Sequence, residues 1–191
     1  MPMRVLRPVP RESLAICAPC SLATQWSMPV DFLSLFSALN RDGVRYVLVG
    51  GLAAVLHGVD RITADVDLAI DLAPACAADC IHALTAAGFR PMLPVDPALF
   101  SDATVRAAWR RDRGMQVFSF WDPTHTRPSV DLFVENPLPF DELWGASQIV
   151  ALDGVDIRVA DIDHLIRLKA IAGRPQDLSD IERLREIERG S

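Results

Sequence analysis

The fold is decided by residues 46–70, which read YVLVGGLAAVLHGVDRITADVDLAI. Residues 46–49 are a short apolar run, which predicts a buried strand, and residues 52–57 predict a small helix. Residues 63–70 alternate between polar and apolar side chains, which predicts a second strand with Thr63, Asp65 and Asp67 on one face. The glycine pair Gly50-Gly51 separates the first strand from the helix. This order of strand, helix and strand indicates an α/β domain.

Hydrophobic periodicity in the rest of the chain predicts further helices and strands. Helices are predicted at residues 31–43, 74–88, 104–111, 140–144, 162–172 and 178–189, and strands at residues 115–121, 129–135, 149–152 and 155–159. Asp153-Gly154, between the last two strands, is a strong hairpin signal. The pattern therefore predicts an α/β fold with a mixed sheet and a small helical part at the C-terminal end.

The domain organisation follows from a change in pattern near residue 28. Residues 1–27 contain four prolines and no regular periodicity, so we expect a poorly ordered N-terminal extension. Residues 28–191 are predicted to form a single domain, because domains commonly hold about 100–200 residues. Within it, we expect a core at about residues 28–136, followed by a hairpin and helices at about residues 140–189.

Composition argues against several classes of protein. The chain has 191 residues, of which 50% are hydrophobic, and a formal net charge of −6. No apolar run approaches the roughly 18 residues of a membrane span, so we expect no membrane partner. The acidic balance argues against charge-driven coating of nucleic acid, although a local basic patch is compatible with it. Cys76 and Cys80 lie four residues apart on a predicted helix, where small buried thiols are common. We therefore expect reduced cysteines and a cytoplasmic protein.

The glycine pair and two aspartates carry the first chemical signal. Adjacent glycines after a strand let backbone amides approach a phosphate at the start of a helix. Asp65 and Asp67 point the same way on a strand, about 7 Å apart along the backbone. Such a pair of like charges is costly unless a divalent cation lies between them, and carboxylate oxygens suit magnesium. Either feature alone is common, since two glycines can form a plain turn and D-x-D recurs by chance.

Asp131 adds a third carboxylate to this set. It lies in residues 129–135, which read SVDLFVE, where strand propensity and desolvation both disfavour an aspartate. If this strand lies beside the strand of Asp65 and Asp67, three carboxylates converge on one face and could bind two metal ions. The alternative is that Asp131 lies on a solvated face of the sheet.

In this order, the motifs resemble those of the nucleotidyltransferase superfamily related to DNA polymerase beta. The glycine pair, Asp65-x-Asp67 and Asp131 match its pattern. Residues 163–181, which read DHLIRLKAIAGRPQDLSDI, look like the C-terminal signature of its minimal bacterial branch. That branch includes the abortive-infection toxin-type nucleotidyltransferases. The resemblance covers about residues 28–189 and implies a two-layer nucleotidyltransferase core with a mixed β-sheet.

The resemblance implies a magnesium-dependent enzyme that transfers a nucleoside monophosphate from an NTP to a hydroxyl acceptor. Asp65, Asp67 and Asp131 would hold two Mg²⁺ ions, and Asp131 would also help to deprotonate the acceptor. Lys169 would contact the triphosphate, which fits its status as the only lysine in the chain.

The same resemblance implies the residues that bind the nucleotide. They are Gly50, Gly51, Arg61, Thr63 and Arg174. Arg61 and Thr63 could equally anchor their loop, and Arg174 could instead form a structural ion pair with Asp180 between two helices. Asp177 also matches the C-terminal signature, and the resemblance assigns no specific role to it.

The acceptor is the least visible part of the reaction. Arg106, Arg110 and Arg113 form one stripe on a predicted helix, with Trp109 beside it. The stripe could contact an RNA backbone while Trp109 stacks on a base. It could equally be a solvated helix face with one buried aromatic residue.

The resemblance leaves several functions open. For a toxin, tRNA or another RNA would be the acceptor and a cognate antitoxin protein the partner. One alternative is a catalytically inactive relative that binds a nucleotide or a protein. Another is an antibiotic-modifying nucleotidyltransferase, for which no large acceptor domain is visible in the sequence.

Overall fold

A computed structural model describes residues 32–190, so the extension predicted at residues 1–27 lies outside the described residues. The strands are β1 (Tyr46–Val49), β2 (Asp65–Ile70), β3 (Arg90–Pro91), β4 (Val117–Trp121), β5 (Ser129–Phe133), β6 (Gln148–Leu152) and β7 (Val155–Val159). They form one sheet in the order β3-β4-β5-β2-β1-β7-β6. The β1–β7 and β2–β5 pairs are parallel and the others antiparallel, which confirms the predicted mixed sheet.

The predicted helices all have counterparts in the structure. They are α1 (Leu33–Arg41), α2 (Gly50–Leu56), α3 (Pro74–Ala86), α4 (Ala103–Arg113), α5 (Phe140–Ala146), α6 (Ile162–Ala172) and α7 (Pro175–Gly190). Asp102 and Asp161 cap α4 and α6 with their side chains, because each accepts a hydrogen bond from a free amide of the first turn. Within residues 32–190, every helix is too short or too polar to cross a lipid bilayer.

One face of the sheet is apolar and covered by helices. The strand register places Leu48, Leu68, Leu132 and Phe118 side by side on this face, and all four are buried. Phe118 stacks on Trp109 of α4, with ring centroids 5.1 Å apart, and on an aromatic ring of the 3-10 helix Pro97–Ser101. Helices α1, α3 and α4 therefore cover this face and hold the core residues that pack on it.

This packing decides between the two interpretations of the basic stripe on α4. Trp109 is buried in the core, so its ring is not available to stack on a base. Arg106 is only 5% exposed and donates hydrogen bonds to the backbone carbonyls of Phe100 and Leu72. The buried aromatic residue is confirmed and the RNA-stacking role of Trp109 is wrong, but the stripe is not a fully solvated face, because Arg106 is buried as well.

The opposite face of the sheet is polar and only partly covered. Along β4 and β5, buried residues alternate with half-buried ones, and Ser119, Ser129 and Asp131 belong to the half-buried set. Helix α2 packs against β2, and α6 packs against α2 and α7. These helices leave the part of this face that lies over β4 and β5 open.

The structure adds elements that the sequence patterns did not predict. The two-residue strand β3 extends the sheet beyond β4, and its second residue is Pro91, which breaks the strand signal. The 3-10 helix is also new. The predicted hairpin is present as β6 and β7, and β7 pairs with β1, so the hairpin extends the same sheet.

Candidate active site

The glycine pair lies where β1 turns into α2. Helix α2 begins on Gly50 itself, which has φ +67°, a conformation that strongly favours glycine. A Cβ atom on Gly50 would lie 1.9 Å from Oδ2 of Asp67, and one on Gly51 would lie 2.6 Å from Oγ1 of Thr63. The backbone amide of Gly51 donates a hydrogen bond to Asp67. Glycine is therefore required here by a close approach as well as by backbone conformation.

The substitution Gly50→Ala is expected to destabilise the fold by more than the about 1–3 kcal/mol of a strained backbone position. The added methyl group would collide with the Asp67 carboxylate. Gly43→Ala is the matched control, because Gly43 has the same φ of +67° but open space around its Cβ position. Urea unfolding of the two variants separates the collision from the backbone strain. Equal losses of unfolding free energy would contradict the predicted collision.

Three carboxylates meet beside this turn, as the sequence predicts. Asp67 of β2 is the register partner of Asp131 on the parallel strand β5, and Asp65 lies two residues before Asp67 on the same face. Carboxylate oxygens of the three side chains lie within 4.8 Å of one another. The three carboxylates therefore converge, and Asp131 is half-buried rather than on a fully solvated face of the sheet.

The electrostatics of this cluster are those of crowded, partly buried acids. Burial, followed by the charges of Asp65 and Asp131, raises the pKa of Asp67 to about 6. Burial also raises the pKa of Asp131, against a hydrogen bond from Ser119. Anionic oxygens at this spacing repel one another and are a fitting donor set for a hard divalent cation such as Mg²⁺.

Lys169 lies in the wall of the site and is bound to acids of α7. Its side chain is 5% exposed, and its Nζ donates to Oδ2 of Asp180 at 2.6 Å and lies 3.5 Å from Oδ1 of Asp177. Arg61, from the loop between α2 and β2, donates to the same Asp180 oxygen at 2.6 Å. One buried carboxylate oxygen of α7 therefore holds two neighbouring cations in the wall of the site.

Arg174 has a different partner from the one considered in the sequence. Its Nε donates to Oδ2 of Asp177 at 2.8 Å, within the first turn of α7, while Asp180 pairs with Lys169 and Arg61. The Arg174 side chain remains 74% exposed, and its charge acts to lower the pKa of Asp67. Arg174 is thus an exposed cation that faces the acidic cluster.

All the predicted site residues line one cavity of about 620 Å³. They are Gly50, Gly51, Arg61, Thr63, Asp65, Asp67, Asp131, Lys169 and Arg174. The sequence did not predict that Gln116, Val117 and Phe133 form another part of the wall, since these residues carry no motif of their own. Their place could have been inferred only from the pairing of β4 with β5.

Comparison with known proteins supports the fold. No protein-family model matches the sequence, and no curated protein matches it. The structure is similar to that of a protein from Thermotoga maritima described as a nucleotidyltransferase, with a TM-score of 0.50, 16% identity, and coverage of 83% of this chain and 90% of that one.

Two further solved structures have the same architecture. One is ANT(2")-Ia in complex with adenylyl-2"-tobramycin, with a TM-score of 0.50 and 14% identity over 81% of this chain and 88% of that one. The other is an antigenic nucleotidyltransferase-like protein from Paracoccidioides brasiliensis, with a TM-score of 0.51 and 18% identity over 80% of this chain and 72% of that one. The chain therefore has the nucleotidyltransferase fold.

Proposed function

We propose that the protein transfers a nucleoside monophosphate from an NTP to a hydroxyl group of an acceptor. The observation that carries this proposal is the meeting of Asp65, Asp67 and Asp131 within 4.8 Å, beside a glycine turn that a single Cβ atom would block. Transfer of a phosphoryl-type group needs positioning and charge stabilisation more than covalent chemistry, and this site supplies both.

The acidic residues would bind the metal and the acceptor. Asp65, Asp67 and Asp131 would hold two Mg²⁺ ions, which supply charge neutralisation for the triphosphate and for the leaving pyrophosphate. Asp131 faces the open part of the sheet, so it would also accept the proton of the attacking hydroxyl.

The glycine turn and the basic residues would bind the nucleotide. The backbone at Gly50 and Gly51 would approach the phosphates closely, because neither residue carries a side chain. Arg174 is exposed and faces the acids, so it would pair with phosphate oxygens. Lys169 would contact the triphosphate from the cavity wall while its amine keeps the hydrogen bond to Asp180. Arg61 and Thr63 would hold the rim of the same cavity.

The finer assignment is an RNA-modifying toxin. The resemblance of residues 163–181 to abortive-infection toxin-type nucleotidyltransferases supports tRNA or another RNA as acceptor and a cognate antitoxin as partner. An enzyme of this kind would act in the cytoplasm, where NTPs and RNA occur together. ANT(2")-Ia, whose structure contains adenylyl-2"-tobramycin, supports a small-molecule acceptor as the competing assignment.

A second candidate function is a catalytically inactive module that binds a nucleotide. It is favoured by one observation, the neutralisation of Lys169 and Arg61 by the buried Asp180. In this case the protein would bind NTP and release it unchanged.

The test is incubation of the purified full chain with each α-labelled NTP, Mg²⁺ and total RNA. We expect label in the RNA that disappears when EDTA removes the metal, because the three acids require a cation to face a triphosphate. Asp131→Asn should lose the labelling, whereas Asp79→Asn, at an exposed aspartate of α3, should keep it.

The two functions give different results in this assay. NTP binding without transfer to RNA, protein or any small hydroxyl compound would establish the inactive module instead. Labelling that survives EDTA would contradict the metal assignment.

A further inference from the structure

The open part of the polar face continues from the acidic cluster to the edge of the sheet. In one row across the strands, Asp67 pairs with Asp131 and Asp131 pairs with Ser119. In the next row, Asp65 pairs with Ser129. The register of β4 with β5 places Trp121 opposite Ser129. Arg90 of β3 in turn pairs with Trp121. The second row therefore joins the metal-binding acids to an aromatic and basic edge.

This edge contains a cavity of about 470 Å³ that is separate from the one that holds the acids. Trp121 and His125 both line it, and their rings are in contact, with centroids 5.3 Å apart and planes inclined by 43°. Met92, which is 56% exposed, Ser129, Asp122 and Arg127 complete the lining. His125 is exposed and Trp121 is half-buried, so the free faces of these two rings offer a surface on which another planar ring can bind.

The turn that carries His125 is held rigidly by one buried acid. Asp122 accepts hydrogen bonds from the backbone amides and hydroxyl groups of Thr124 and Thr126 and from the guanidinium of Arg127. The hydrogen bond from Arg127 is the largest of the effects that hold the pKa of Asp122 far below its usual range. This turn keeps His125 at φ +55°, which is uncommon for a residue with a side chain. The ring pair is thus preorganised.

The charge of this edge favours an electron-rich or anionic occupant over a cationic one. The Asp122 charge is buried and neutralised by Arg127, so it offers nothing to a cation. Arg90 is exposed on the strand next to Trp121, and among residues 32–190 it contributes a positive charge that no ion pair neutralises. Asp122 is the carboxylate that lines this cavity, and because Arg127 already pairs with it, a polycationic acceptor would gain little from it.

We propose that the Trp121–His125 platform binds a nucleobase of the acceptor, so that a sugar hydroxyl of the same or the next nucleotide reaches Asp131. Trp121 lies one strand across and two residues along from Asp131, about 8 Å by standard strand spacings, which a nucleoside unit bridges. This inference rests on the proposed function and names its acceptor as the end of a single-stranded RNA or a free nucleotide. Arg90 binds the adjoining phosphate.

The first test measures acceptor binding without catalysis. A fluorescein-labelled single-stranded RNA tetramer with a free 3′ hydroxyl is titrated with the full chain in the absence of NTP, and fluorescence anisotropy gives the Kd. Trp121→Ala should raise the Kd at least about fivefold, because stacking on an aromatic side chain contributes that much per base. His125→Asn removes the ring but tolerates the positive φ, and it should weaken binding without any effect on folding.

Two matched control variants remove an indole ring and an imidazole ring from positions away from the platform. Trp144→Ala acts on a tryptophan of α5 that packs on Arg158, and His82→Asn on an exposed histidine of α3. Neither should change the Kd. Competition by the four mononucleotides distinguishes the two sources, since a free nucleotide should displace the tetramer if it is the acceptor and should fail to do so if an RNA end is required.

Catalysis then separates this inference from the proposed function. Trp121→Ala should raise the KM for the acceptor and leave the KM for NTP unchanged. Transfer with an unaltered acceptor KM in both variants would overturn the nucleobase platform while the proposed transferase stands. RNA binding that depends on Trp121 in a protein without any transfer would overturn the transferase and keep the platform. If a polycationic aminoglycoside displaced the RNA from this platform and received the nucleotide, the assignment of the platform to a nucleobase would be overturned.

Discussion

Asp67→Asn is expected to lower nucleotide transfer by about a hundredfold to a thousandfold while the protein keeps its fold, because removal of one preorganised group that stabilises the transition state has effects of this size. Asp67 is the central member of the cluster, next to Gly50, Gly51 and Asp131. The measurement is the initial rate of incorporation of a labelled nucleotide at saturating Mg²⁺. Activity within tenfold of the natural protein would contradict the metal assignment.

The same variant should be more stable than the natural protein when no metal is bound. The folded-state pKa of Asp67 is raised from 3.8 to about 6, so its ionised form is disfavoured by folding. The carboxylate therefore costs stability as the pH rises through about 6, and the cost is absent below about pH 4. Removal of this charge should raise the free energy of unfolding on the order of 2 kcal/mol at pH 8.

Thermal unfolding at pH 8 and pH 4 in EDTA tests this difference. Asp79→Asn, which removes an exposed charge of α3, controls for the change in net charge. Addition of Mg²⁺ should raise the Tm of the natural protein and have little effect on Asp67→Asn, since a ligand stabilises only the state that binds it. A Tm for Asp67→Asn below that of the natural protein at pH 8 would contradict this prediction, because it would mean that other groups of the site already stabilise the ionised Asp67 carboxylate.

The second large effect is on stability. Asp180→Ala should lower the free energy of unfolding by about 3–5 kcal/mol, because it leaves Lys169 and Arg61 without their shared buried partner. Asp177, 3.5 Å from the Lys169 amine, compensates part of the loss, so we expect the lower end of this range. Glu182→Ala removes an exposed acid from the same helix and should change the unfolding free energy by less than about 0.5 kcal/mol.

Urea unfolding measures both variants. The double variant Asp180→Leu/Lys169→Met should recover part of the lost stability, because a buried apolar pair replaces a broken ion pair. A loss below about 1 kcal/mol in Asp180→Ala would mean that water reaches the two cations and that the ion pair is not buried.

The sequence predicted most of the fold because its signals are local. The glycine turn, the alternation in β2 and the Asp153-Gly154 turn each specify their own few residues, and both residues of that turn have the positive φ it requires. Strand β3 escaped prediction because two residues are too short for any periodicity. The basic stripe on α4 was ambiguous because periodicity defines a face of a helix without saying which side packs inward.

The candidate site was predicted through its acids, whereas the pairing of its cations was not. The convergence of Asp131 with Asp67 follows once β5 is placed beside β2. The choice of Asp180 as partner of both Lys169 and Arg61 depends on how α7 crosses the loop before β2, and no local pattern encodes that. The contact between Trp121 and His125 could not be predicted from the sequence either, since it depends on the turn that Asp122 organises.

The order in which the chain is synthesised has a consequence for the buried Asp180, which pairs with both Lys169 and Arg61. The acids are complete once residue 131 has left the ribosome, but Lys169 and its buried partner follow only after 38 and 49 further residues, and β1 receives its second neighbour from β7. Domains fold as units during translation, and contacts distant in sequence form late. A nascent polypeptide that contains β5 but not yet α7 therefore holds its three acids while Lys169 and Arg61 lack their buried partner, and under the proposed function we expect transfer only after α7 has been synthesised.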